Sequence, residues 1–124
     1  MKTAEILKKD LPYEITISKS TKVRDLKKMT KSLIKEFNNV QKSNSNMSFI
    51  IFMGEDNLYS CCLEYKDGDV GIGFDVKFIN SESAVHAILH AAAQSSCNNI
   101  RFSVSQFDER TVVIKINKID LKVH

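Results

Sequence analysis

Hydrophobic positions recur along the 124-residue chain with two periods, and each change of period marks a new element. In "LPYEITISKS", Leu11, Tyr13, Ile15 and Ile17 alternate with polar residues, which predicts a strand; Pro12 stands at its start or on an edge, where a missing N–H does least harm. The preceding "TAEILKK" predicts one or two helical turns. From Thr21 the spacing changes to three and four: Val23, Leu26, Thr30, Leu33, Phe37 and Val40 form an apolar stripe that Ile34 widens. This is an amphipathic helix packing on a sheet, with Ser20 or Thr21 to cap it and "NNVQKSNSN" to end it. Three strand patterns follow. "MSFIIFM" is apolar on both faces, "LYSCCLEYK" puts Tyr59, Cys61, Leu63 and Tyr65 inward, and "VGIGFDVKFI" alternates Val70, Ile72, Phe74, Val76 and Phe78 with Gly71, Gly73, Asp75 and Lys77. The joints "GEDN" and "KDGD" have hairpin-turn chemistry, the second with Gly68 available for positive φ, so an antiparallel meander is expected.

"SESAVHAILHAAAQSSC" returns to helical spacing from Ser81, with Val85, Ile88, Leu89 and Ala92 as the core face. "NIRFSVSQ" and "RTVVIKIN" around "FDER" then predict a last hairpin. The tail "KIDLKV" alternates with shifted parity, as a bulge or short extra strand does. The expected fold is α+β: one mostly antiparallel sheet of about five to six strands, with both main helices on one face, in the order β-α-β-β-β-α-β-β. Residues 1–124 read as a single domain, without long linker or repeat.

Composition narrows the function classes. With 43% hydrophobic and 27% charged residues the chain is globular rather than disordered. "FIIFM" is the longest apolar candidate, long enough for a buried strand and far short of a membrane span. The N-terminus lacks the apolar segment of a signal peptide, so a cytoplasmic, intracellular location and no membrane partner are expected. Cys61, Cys62 and Cys97 are odd in number and lack C-x-x-C spacing, which points to reduced thiols and not to a zinc site. The richness in Lys, Ile, Asn and Ser is that of AT-rich genomes such as low-GC bacteria and their phages.

Charge is uneven along the chain. Residues 1–46 hold eleven Lys and Arg against five Asp and Glu, while residues 47–124 hold seven against ten. Lys27, Lys28, Lys31 and Lys35 lie off the apolar stripe of the first helix. Such a run is commonly a solvated face; with Lys22 it also suits an acidic surface or nucleic acid. Arg101 and Arg110 flank the last hairpin, where a phosphate or carboxylate clamp competes with ion pairs to Asp108 and Glu109.

The remaining candidate chemistry sits on the second helix. His86 and His90 are four apart on its flank, close to Ser83 and Gln94, but Cys97 is about 16 Å from His86 along the helix and the Glu of H-E-x-x-H is missing. No metal and no cofactor are expected. Ala84, Ala87, Ala91 and Ala93 extend past the core face, and Ala84, Ala87 and Ala91 with His86 and His90 are the candidate interface for a partner or a second copy. "DGDVGIGFD" fits neither a calcium loop nor a phosphate loop; Gly71 and Gly73 instead share a strand face where a groove or another backbone comes close. No G-x-S-x-G elbow or other nucleophile signature is present.

The element order is similar to that of secretion-effector chaperones, which are small dimers. They usually end in a further helix and tend to be acidic; this chain does neither. The expectation is a non-catalytic binding protein, of chaperone, adaptor or inhibitor type, acting on a protein partner as a homo-oligomer. The alternative is a nucleotide or nucleic-acid binder that uses the basic residues, for example one that sequesters a small nucleotide signal between subunits.

Overall fold

The structure is a computed structural model that describes residues 3–5, 14–42, 47–65, 71–96 and 100–118. Eight elements follow in the order β1 (Thr3–Glu5), α1 (Val23–Lys42), β2 (Met47–Met53), β3 (Tyr59–Tyr65), β4 (Gly71–Gly73), α2 (Ser81–Gln94), β5 (Ile100–Asp108) and β6 (Thr111–Lys118). The strands form one fully antiparallel sheet in the order β1-β5-β6-β2-β3-β4. Two local hairpins therefore meet at its centre, β2 against β6.

Register and alternation explain the core. Phe49 lies opposite both Leu63 and Ile114, Met47 opposite Ile116, and Ile51 opposite both Cys61 and Val112. All of these side chains are buried, and they share one face because successive residues of a strand alternate sides. Both helices cover that face. The Phe37 ring of α1 reaches Phe49 at 6.0 Å and Phe102 at 6.2 Å, while α2 lies close to β2 and β3. The two helices pack on each other, and Asn38 Oδ1 accepts hydrogen bonds from the Ser96 amide and hydroxyl at 2.8 and 2.7 Å.

The turn Gly54–Leu58 closes the first hairpin as "GEDN" predicts: the Gly54 amide donates to the Leu58 carbonyl, and Asn57 takes the left-handed φ of 60° that Asn tolerates well. The turn at 66–69 and the tail beyond 118 lie outside the described residues. In β5 a bulge between Gln106 and Asp108 precedes the turn into β6.

Four local expectations are corrected. Thr3–Glu5, expected within a helical turn, is a strand on the edge beside β5. Of the strand expected around Ile15 and Ile17, residues 14–18 contribute only a one-residue bridge from Ile17 to Phe78, supported by Ser18 N–H to Lys77 O at 2.8 Å. Of the strand expected over 70–79, Val70 lies outside the described residues, and residues 71–79 contribute the strand Gly71–Gly73 and a bridge from Phe78 to Tyr59. Thr21 does not cap α1; its hydroxyl binds the Lys77 backbone and ties the helix entrance to the sheet edge.

Candidate functional site

The first candidate surface is the outer side of α1. Met29, Leu33 and Phe37 are buried, and they set the inward direction of the helix. Arg24, Lys28, Lys31 and Lys35 follow at spacings of four, three and four, so at 100° per residue they fall within about 60° of one another and opposite the buried trio. Lys27 flanks them. All five are exposed, and none forms an ion pair with a described residue. The stripe is about 16 Å long at 1.5 Å per residue. Val23, expected in the apolar stripe, is 62% exposed, and Met29 takes the inward place.

The arginines behave differently. Arg110 donates through its guanidinium to the Gly54 carbonyl at 3.0 Å, and its amide donates to Asp108 Oδ1 at 2.8 Å. It thereby holds the two hairpin turns together beside an open hollow of about 480 Å³ lined by Met53, Asp108, Glu109, Arg110 and Thr111. Arg101 is exposed near the other end of β5, about 24 Å away at strand rise, so the structure does not bring the two into one clamp.

Ala84, Ala87 and Ala91 also fall elsewhere than expected. They are 0%, 3% and 0% exposed, buried in the core that α2 shares with α1 and the sheet. Their small size lets α2 approach its neighbours closely within the chain, so the expected partner surface there is used internally. Ala93 is exposed. His86 and His90 do lie on the flank, but they engage different groups: His86 Nδ1 is 3.3 Å from the Glu14 carbonyl, and His90 Nε2 is 2.6 Å from Gln94 Nε2. Among the described residues no three His, Cys, Asp or Glu side chains group as a metal site.

One arrangement left no mark in the sequence. Lys77 Nζ donates to Ser60 Oγ at 2.7 Å and lies 3.9 Å from Asp56 Oδ2. Serine–lysine pairs can be catalytic. Here the serine is only 9% exposed, and the ammonium acts as a hydrogen-bond donor beside a carboxylate. That is a packing role for Ser60. Cys61 and Cys62 are likewise held as thiols: burial, then the neighbouring Cys62, pushes Cys61 up to about 12, and burial followed by Glu64 raises Cys62, while Cys97 lies outside the described residues. A pocket of about 120 Å³ between α1 and the β4 edge, lined by Asp25, Lys28, Met29, Ser32, Gly73, Phe74 and Asp75, is smaller than small-molecule sites.

The second candidate surface is the sheet face away from the helices. Register places Ser103, Lys115, Ser48, Glu64 and Gly71 in one row across it, and Ser105, Val113, Ile50, Cys62 and Gly73 in the next. Val113, Ile50 and Cys62 make a half-buried apolar strip, with Phe52 beyond it at 40% exposure. No described helix crosses this face, and none is long and apolar enough to cross a membrane.

No protein-family model, curated protein or solved structure matches the chain.

Proposed function

We propose that the chain is a non-catalytic, intracellular binding protein that holds a polyanion, the phosphate backbone of a nucleic acid, along the outer side of α1. The supporting observation is the stripe of Arg24, Lys28, Lys31 and Lys35 with Lys27 beside it, exposed and without ion pairs to described residues. Four of the five are lysines, which act as point charges toward phosphate and are depleted at protein interfaces. No apolar or aromatic side chain lies within the stripe, so contact there is to charge rather than to base faces. Binding is then tolerant of base sequence.

The test is fluorescence anisotropy with a labelled 20-base-pair duplex over a salt series. Neutralising about four phosphates predicts a logarithmic salt slope near −3.6, an affinity loss of about 10²-fold between 50 and 200 mM salt. Each single Lys→Ala change in the stripe is expected to lower the slope by about one, and K27A/K28A/K31A/K35A to abolish binding. Absence of binding at 50 mM salt, or binding that this variant retains, refutes the reading. A protein partner, a second copy of the chain included, has separate support in the sheet face that no described helix crosses.

A further inference from the structure

From the open sheet face we infer that the protein forms a two-fold homodimer by face-to-face packing of its sheets, with the axis running nearly along β2. The argument begins with charge. Lys115 and Glu64 lie in the same row, one strand to either side of Ser48, so about 10 Å of sheet separates them and they form no ion pair with each other. A two-fold axis along β2 exchanges the two sides of the row. Lys115 of one copy then stands over Glu64 of the other, and symmetry makes the pair twice. On the same axis Ile50 meets Ile50, Phe52 meets Phe52, and Val113 meets Cys62, which closes the apolar strip over itself.

The glycines supply a second, independent fit. Gly71 and Gly73 lie on this face because they pair with Glu64 and Cys62. Among the described residues nothing requires glycine at either position: an added Cβ at Gly73 meets no described atom within 4 Å, the one at Gly71 meets only the Leu63 carbonyl at 3.9 Å, and neither backbone is left-handed. The same axis brings Ser103 and Ser105 of the other copy over these two positions, where a missing side chain permits close approach. Sheets packed face to face cross at about 30°, which displaces Lys115 by about 4 Å from strict superposition, within reach of its flexible stem. A face of five strands by about 20 Å has a footprint near 400 Å² on each copy, about 800 Å² in total and below the roughly 1,200 Å² at which stable interfaces begin, so the dimer is a weak one that dissociates on dilution.

Sedimentation velocity and native mass spectrometry over a dilution series test this, and the outcome is independent of α1. The wild type is expected to show a concentration-dependent dimer. Lys115→Glu and Glu64→Lys each create two like-charge contacts and are expected to raise the dimer Kd at least tenfold, while K115E/E64K restores it. Gly73→Val, for which the monomer has room, is expected to keep the wild-type circular dichroism and lose the dimer. A strictly monomeric wild type at 100 µM overturns the proposal. So does a dimer indifferent to Lys115→Glu and Gly73→Val, or one that the double charge swap fails to restore.

Discussion

Replacing Phe37 by Ala tests whether α1 is docked as described. Phe37 is 0% exposed, with its ring tilted against Phe49 at 6.0 Å and edge-on to Phe102 at 6.2 Å, so one side chain ties the helix to β2 and β5. Truncating a buried Phe costs about 3–5 kcal/mol, combining lost transfer energy with the cavity left behind. The two aromatic contacts contribute about 0.5–1.5 kcal/mol each beyond area. Phe37→Leu keeps most of the volume and loses the ring geometry, so about 1–2 kcal/mol is expected for it. Phe107, 65% exposed, is the control: Phe107→Ala should stay within about 0.5 kcal/mol. Urea unfolding followed by far-UV circular dichroism reads all three. At an m-value near 2 kcal/mol/M, Phe37→Ala should lower the midpoint by about 2 M. A loss below about 1 kcal/mol, or one equal to that of Phe107→Ala, would refute the docking of α1 and with it the outward direction of the cationic stripe.

Ala91→Leu is expected to cost about 1–3 kcal/mol by overpacking, because Ala91 is fully buried, whereas Ala93→Leu on the exposed side should be nearly neutral in the same urea experiment. A neutral Ala91→Leu that altered oligomeric state would return the alanines to an interface. For Cys61, the folded thiol keeps its proton up to about pH 12, while an unfolded thiol loses it near 9.0. Between those values the native state binds more protons than the unfolded chain, so stability falls as pH rises, by about 1.4 kcal/mol per unit and up to about 4 kcal/mol in all; below pH 9 this group contributes no slope. Cys61→Ala should lack that fall, and comparing denaturation midpoints of the two proteins from pH 8 to 11 checks it, with tyrosine ionisation common to both.

Much of the architecture was legible because the hydrophobic pattern is local. The α2 helix starts at Ser81 as its spacing requires, where Asn80 accepts a hydrogen bond from the Ser83 amide at 2.8 Å, and both hairpins follow from alternation and turn chemistry. The edges were less legible. β1 is three residues long, too short to carry a period, and its partner β5 lies about a hundred residues away. Gly71–Gly73 stands where ten residues alternate, since alternation persists through residues 74–77 although the chain leaves the ladder there. The alanines misled for a different reason. Periodicity reports a mean inward direction, but a helix touched by both a sheet and a second helix buries most of its circumference. The lysine stripe was visible as charge; its freedom from ion pairs with described residues depends on where the rest of the chain runs.

The two candidate surfaces lie on opposite sides of the core, and this separates their energetics. α1 covers one face of the sheet and turns its cations outward, while Lys115, Ile50 and Glu64 are on the other face. Between them stand the sheet and the helix layer, each about 10 Å thick. At about 20 Å, twice the Debye length in 0.1 M salt, direct coupling between exposed charges on the two surfaces is screened. Substitutions on α1 and on the open face should therefore add without an interaction term when combined. Lys115→Glu should leave the salt slope of polyanion binding unchanged, and K27A/K28A/K31A/K35A should leave the dimer Kd unchanged. If instead the α1 variant dissociated the dimer, the stripe and the interface would have to be one surface, and neither assignment could stand as drawn.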